Sequence, residues 1–272
     1  MSSLERGRPP SDVRKRLEDA ASGAQPWIAT LTPPEMLALR SHGLKPISAV
    51  SATCWLDIGW SWSLGHSEGW NTAMERLQAE AAAGGANAVV DVKMKTINLP
   101  SENSIDFTLI GTAVKVEGLA PNPRPVVSTV SALEFVKLLE SDIVPTGVAV
   151  GAYYEWLTNW TPSLIWSNGE YSGLSRHMSK VRARAYDALR DAAAKHGAGV
   201  LAHTNFSQML EKEDSGILAR HIVVATTIDA KRAMPIPHDI KMVVDLAAGV
   251  SPLKCARHNH DSYGLNDRDG AI

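Results

Sequence analysis

Residues 73–90 read AMERLQAEAAAGGANAVV, and residues 185–202 read AYDALRDAAAKHGAGVLA. Each stretch is an alanine-rich helical pattern that reaches a glycine, Gly85 or Gly197, and then continues into a small apolar run. A glycine directly after a helix is typical of a C-cap, because glycine adopts positive φ without strain. The two stretches align at an offset of 112 residues, which predicts two copies of one supersecondary unit.

The repeat extends upstream, where the offset is 99 residues. Residues 32–50 read TPPEMLALRSHGLKPISAV, and residues 131–149 read SALEFVKLLESDIVPTGVA. Each copy starts with Thr or Ser and has Glu three residues later, which is the capping-box signature of a short helix. Each then passes through a proline into a small apolar strand, predicted at 46–52 in the first copy and at 145–153 in the second.

A predicted β-hairpin completes each copy. Its strands are expected at 88–96 and 105–116 in the first copy, and at 200–206 and 217–228 in the second. The segments 111–114 (GTAV) and 225–228 (ATTI) align at an offset of 114 residues. The offset therefore changes only between elements, as a duplicated module tolerates. The predicted fold class is α+β, with two tandem βαββ modules that each form a three-stranded antiparallel sheet with one long helix.

The chain is expected to have five parts. They are an N-terminal arm with a short helix (1–31), a first module (32–118), a Pro-rich linker (119–130), a second module (131–231) and a C-terminal tail (232–272). One helix on a three-stranded sheet leaves sheet edges and apolar surface uncovered, so each module is expected to need neighbours.

Composition excludes several classes of protein. The 272 residues suffice for a real core, and a net charge of −2 gives no electrostatic case for nucleic acid or an anionic membrane. Cys54 and Cys255 lie far apart and form no CxxC pair, so no disulfide framework or thiolate zinc site is expected within the chain. The sequence shows no secretory h-region and no apolar run of about 20 residues, so we expect a cytoplasmic protein without a membrane span. It contains no GxSxG, P-loop, GxGxxG or HExxH pattern, which favours a role other than catalysis.

The first copy resembles the YbjQ-like family, which also carries a heavy-metal-binding label. The resemblance rests on the run 77–92 (LQAEAAAGGANAVVDV) and on the segment 111–114 (GTAV). It implies a dodecin-like βαββ fold and closed homo-oligomeric rings, commonly pentamers, but no established activity and no fixed ligand set. The second copy departs from the pattern, since Gly199 replaces the Asn and Ala225-Thr226-Thr227 replaces Gly-Thr-Ala. The motif residues are interpreted as a close-packed turn; they are Gly85, Ala86, Asn87, Gly111 and Thr112.

Tryptophan is unusually frequent between the first strand and the helix of each copy. Tryptophan is enriched in protein interfaces because it buries a large area with few rotatable bonds. We therefore predict that these residues form an oligomer interface, with local core and a ligand pocket as the alternatives. The residues are Trp55, Trp60, Trp62, Trp70, Trp156, Trp160 and Trp166.

A second candidate site lies in the C-terminal tail, where residue types that bind divalent transition metals are close in sequence. Two histidines that alternate in an extended segment, with a cysteine and an aspartate nearby, suit zinc, copper or nickel. The alternative is a solvated tail. The residues are Cys255, His258, His260 and Asp261.

Three functional hypotheses follow. The first is a self-assembling scaffold protein that forms a closed homo-oligomeric ring or shell, in which five chains would supply ten modules with the chain itself as the partner. The second is a protein that binds a metal ion or small ligand. The third is an enzyme whose site lies at a subunit cleft and which no motif reveals.

Overall fold

The computed structural model describes residues 9–26, 28–57, 62–99, 104–157, 172–196, 199–213 and 216–230. Within these residues the chain is α+β, with five helices and two sheets, which confirms the predicted fold class at that level. In chain order the elements are α1 Ser11–Ser22, α2 Pro33–Ser41, β1 Leu44–Asp57, α3 Trp62–Ala83, β2 Ala88–Leu99, β3 Ser104–Val116, β4 Val126–Val127, α4 Ala132–Glu140, β5 Ile143–Leu157, α5 Ser172–Ala193, β6 Gly199–Glu213 and β7 Gly216–Ala230.

The two sheets share one strand order apart from a single addition. The first is mixed, with the order β1-β3-β2-β4, and the second is antiparallel, with the order β5-β7-β6. The additional strand β4 lies in the segment that the sequence predicts to be a Pro-rich linker, and it pairs in parallel with β2. The connector therefore forms part of the first sheet.

Both short helices begin where the capping-box pattern predicts. The Glu35 carboxylate accepts hydrogen bonds from the Thr32 backbone N–H and hydroxyl at 2.8 and 2.7 Å. The Glu134 carboxylate accepts from the backbone N–H and hydroxyl of Ser131, both at 3.0 Å. These bonds satisfy backbone donors that the first turn of a helix leaves free.

The long strands pair in one register in both sheets. Pro46 is opposite Val114 in the first sheet, and Pro145 is opposite Ile228 in the second. In each sheet a register shift follows directly after the proline. A proline cannot donate to the ladder and is found at bulges for that reason. The offsets of 99 and 114 residues read from the sequence are therefore also the offsets between paired positions of the two sheets.

Helix α3 covers one face of the first sheet, and α5 covers one face of the second. Gly69 of α3 lies directly on Phe107 of β3, where a Cβ atom would come within 2.2 Å of the ring. A Cβ atom on Gly151 of β5 would likewise clash with the backbone of α5, at the carbonyl oxygen of Ala185. These glycines allow each helix to approach its sheet closely. Helix α1, which the sequence analysis assigns to an N-terminal arm, adds to the first core through Leu17, which is fully buried.

Candidate functional site

An imidazole enclosed by aromatic rings lies where helix α3 meets the second sheet. His66 of α3 is fully buried. Its ring centroid lies 5.8 Å from that of Trp70, 5.0 Å from that of Phe107 and 5.5 Å from that of Tyr154. Since Tyr154 belongs to β5 and the other two residues to α3 and β3, this aromatic cage joins the two halves of the chain.

The charge state of the cage follows from burial. Burial, together with a smaller effect of the nearby positive charge of Arg220, lowers the pKa of His66 from 6.5 to about 3. Burial also raises the pKa of the Tyr154 phenol, an effect that its hydrogen bond and charge interaction with Arg220 oppose. His66 and Tyr154 are therefore neutral near pH 7, and Arg220 is the charged group of the cage.

His66 has an unusual feature for a buried polar side chain. Among the described residues, no hydrogen-bond partner is found for either ring nitrogen of His66. The same holds for the indole nitrogen of Trp70. An unsatisfied buried polar group costs about 1–3 kcal/mol. No local sequence pattern connects His66 with β5 and β7, so the sequence does not predict this cage.

A second feature is the segment that joins the two halves of the chain, residues 126–130, here called the junction segment. It runs along the edge of β2. The backbone N–H groups of Val126 and Ser128 donate to the carbonyl oxygens of Asn87 and Val89 at 3.0 and 2.9 Å. In return, the N–H of Val92 donates to the carbonyl oxygen of Ser128 at 3.0 Å. The segment thus extends the first sheet by one strand through its main chain.

The other side of the junction segment contacts the second sheet. The Thr226 hydroxyl accepts from the backbone N–H of Thr129 at 3.0 Å, and the two hydroxyls are 2.9 Å apart. Helix α4 follows at once and packs Phe135 and Val136 into a cluster with Val90 and Val114 of the first sheet. The junction between the halves therefore combines an apolar cluster with backbone hydrogen bonds from the junction segment to β2 and to Thr226.

The predicted interface tryptophans are divided among several elements. Trp55 lies on β1 and Trp156 on β5, because these two strands extend beyond the ranges that the sequence predicts. Both side chains are exposed. Trp70 lies on α3 and is buried in the core of the first sheet. Trp62 begins α3, and its side chain is not described; Trp60, Trp160 and Trp166 lie outside the described residues. The interface prediction can thus be followed at Trp55 and Trp156.

The family-motif residues serve the turn from α3 into β2 and the packing behind it. Gly85 has φ +75°, as a C-cap glycine requires. The Asn87 side chain donates to the Ala120 carbonyl at 2.6 Å and accepts from the Val116 N–H at 2.9 Å. A Cβ atom on Gly111 would come within 2.8 Å of Val92. The two remaining motif residues are buried, Ala86 in the core and Thr112 against Thr30.

The metal hypothesis finds no donor set in the part of the chain that the structure describes. No group of three His, Cys, Asp or Glu side chains is placed there to hold a metal ion. His66 has free nitrogens, but aromatic rings surround it and the neighbouring charge of Arg220 is positive, which disfavours a cation. The predicted ligands Cys255, His258, His260 and Asp261 lie outside the described residues.

Comparisons with known proteins give one match. No helix among the described residues is long and apolar enough to cross a membrane. No curated protein and no solved structure is similar to the chain. One family model, described as "Putative heavy-metal-binding", matches residues 64–117, which span α3, β2 and β3. The chain therefore carries one YbjQ-like domain, at residues 64–117.

Proposed function

We propose that this protein is a self-assembling structural protein in which two YbjQ-like βαββ modules, produced by duplication, repeat around a closed homo-oligomeric ring. The shared strand register supports the duplication. So does a repeated side-chain contact, because the Thr112 hydroxyl accepts from the Thr30 N–H at 3.0 Å as Thr226 does from Thr129. Thr129 follows Thr30 by 99 residues and Thr226 follows Thr112 by 114 residues, which are the offsets of the sequence repeat.

One observation carries the assembly. Large apolar side chains remain exposed on the first half of the chain, with Ile28 63%, Leu37 70% and Trp55 65% exposed. They come from three successive parts, the segment before α2, α2 itself and β1. Exposed apolar surface of this kind marks an interaction site. Among the described residues β6 pairs on one side only, and a sheet edge of this kind invites pairing with another chain.

In a closed ring every chain makes the same contacts with its two neighbours. A contact between two different surfaces of one chain repeats from subunit to subunit and closes when the rotation allows it. With two modules in each chain, five chains would form a ring of ten modules. The sequence differences between the modules would then give alternating contacts within and between chains.

Size-exclusion chromatography with light scattering tests the proposal. The chain is expected to elute as one species whose mass is an integer multiple of 29.3 kDa. Leu37→Lys is expected to lower that mass, whereas Leu119→Lys, at another exposed leucine, is expected to leave it unchanged. A wild-type mass of 29.3 kDa at every concentration would contradict the proposal.

A metal-binding role remains the alternative that the family description suggests. The structural support lies with assembly, since the described residues offer exposed apolar surface and no cluster of metal ligands.

A further inference from the structure

The junction between the two modules can be compared with the two ends of the chain. In the junction, Val127 of β4 lies beside Val89 of β2. The offset of 99 residues places Ile28 at the position of Val127. The strand register places Val200 at the position of Val89, since Val89 is opposite Ala113 and Val200 is opposite Thr227. Each half of the junction thus has a second copy at another place in the chain.

These second copies are uncovered where the first copies are buried. Val127 is 1% exposed and Val89 is fully buried, whereas Ile28 is 63% and Val200 40% exposed. All four are β-branched apolar residues, so the difference lies in what covers them rather than in their chemistry. Within the described residues, β6 is the last strand of its sheet and pairs on one side only, with β7.

The short helices show the same difference. Val136 of α4 is 4% exposed because α4 packs on the first sheet, whereas Leu37, its counterpart in α2, is 70% exposed. The reverse holds for the next pair. Leu39 of α2 is fully buried in the cluster that α4 completes, whereas its counterpart Leu138 is only partly buried. The side of α2 that carries Leu37 is thus uncovered, whereas the equivalent side of α4, at Val136, packs on the first sheet.

Trp55 continues the pattern on the long strands. It is opposite Asp106 in the first sheet, as Tyr154 is opposite Arg220 in the second. Tyr154 packs on His66 of α3, the helix of the other module. By the same relation, Trp55 would pack on helix α5 of another molecule. In the isolated chain Trp55 is exposed.

We propose that two copies of this chain dock head to tail through a second version of the module junction. Residues 28–31 of one copy add as a parallel strand to the β6 edge of the next, with α2 on the outer face of its second sheet and Trp55 against its α5. The main chain supplies the pairing, and the side chains at 28 and 37 become buried, as β-strand addition provides. The proposal rests on the self-assembly proposed above and adds its direction and its contacting residues.

The pairing is expected over residues 199–203 of β6. In the first module the bulge of β2 falls between Val90 and Lys93, and the junction segment bonds to it. In the second module the register shift comes later, between His203 and Ser207. The straight part of the edge therefore begins at Gly199 and ends near His203.

Cysteine cross-linking of the full chain tests the docking. Paired residues of neighbouring strands fall within the Cα separation that a disulfide spans, about 4.4–6.8 Å. Ile28→Cys with Val200→Cys, made with Cys255→Ser and with the buried Cys54 kept, is expected to give a ladder of covalent multimers on mild oxidation. Mixing the two single variants should give dimers only. The matched control, Val89→Cys with Val127→Cys, should cross-link within one chain and give no ladder.

Each outcome decides between the two proposals. A ladder supports head-to-tail docking. An oligomer that gives no ladder overturns the docking but leaves self-assembly standing, as would happen if residues 232–272 occupied the β6 edge. A disulfide confined to single chains also overturns it, and a monomer overturns both proposals. As a second measurement, Ile28→Asp is expected to give a folded monomer with the thermal transition of its secondary structure retained; an unchanged oligomer would contradict the docking.

Discussion

Replacement of His66 by phenylalanine is expected to remove a pH dependence from the stability of the protein. The imidazole is fully buried among Trp70, Phe107 and Tyr154, and the charge that acts on it is that of Arg220. Its pKa is lowered to about 3 from 6.5, mainly by burial. A phenyl ring has a similar size and needs no hydrogen bond, so His66→Phe keeps the packing and removes the titrating group.

The direction follows from which state binds the proton. The unfolded chain takes up a proton on this histidine below pH 6.5, whereas the folded chain resists protonation until about pH 3. The contribution of neutral His66 is therefore fully present above pH 6.5 and is lost progressively as the pH falls toward 3. One pKa unit corresponds to about 1.4 kcal/mol, so moving from pH 6.5 to 5 lowers the free energy of unfolding by about 2 kcal/mol.

Urea unfolding at pH 7.5 and pH 5, at one fixed protein concentration, measures the effect. The wild-type chain is expected to lose about 2 kcal/mol more than His66→Phe over this interval. A variant at the exposed His196, His196→Phe, should follow the wild type. An equal loss in wild type and His66→Phe would refute the reasoning, because it would mean that the folded cage accepts the proton without cost.

Three further substitutions test the packing around the site. Gly69→Ala places a methyl group against Phe107 and is expected to cost about 1–3 kcal/mol in urea unfolding. Gly173→Ala should be neutral or slightly stabilising, because the added methyl group would lie more than 4 Å from every atom outside its own stretch of helix. Asn87→Ala removes the partners of two backbone groups and should cost about 1–3 kcal/mol, whereas Asn122→Ala in its exposed turn should cost under about 1 kcal/mol. Leu17→Ala is expected to lower the thermal midpoint, with a cost of about 2–5 kcal/mol, and an unchanged midpoint would mean that α1 is not part of the core.

Local sequence signals account for much of the fold. The capping boxes at Thr32 and Ser131 and the C-cap glycine at position 85 all mark helix ends in the structure. These signals depend on residues within one helical turn, where the backbone groups that need partners are determined locally. The second C-cap glycine, at position 197, lies outside the described residues.

The long-range features were beyond the reach of such signals. Residues 126–127 lie in a segment with prolines at 121, 123 and 125, which indicated a connector, yet they form β4 because the edge of β2 is there to pair with. The cage around His66 draws on α3, β3 and β5, and no periodicity links residues so far apart. Trp55 is expected in a loop, yet the alternating burial of β1 continues to Trp55 and the pairing with β3 continues to Asp57.

Native mass spectrometry of the full chain, before and after EDTA, tests the central claim most directly. The account predicts one closed assembly at an integer multiple of 29.3 kDa, with five chains as the expected number, unchanged in mass and stoichiometry by EDTA. A monomer of 29.3 kDa before EDTA would contradict self-assembly. An assembly that loses mass or separates on EDTA treatment would contradict a metal-independent ring and would direct attention to Cys255, His258 and His260.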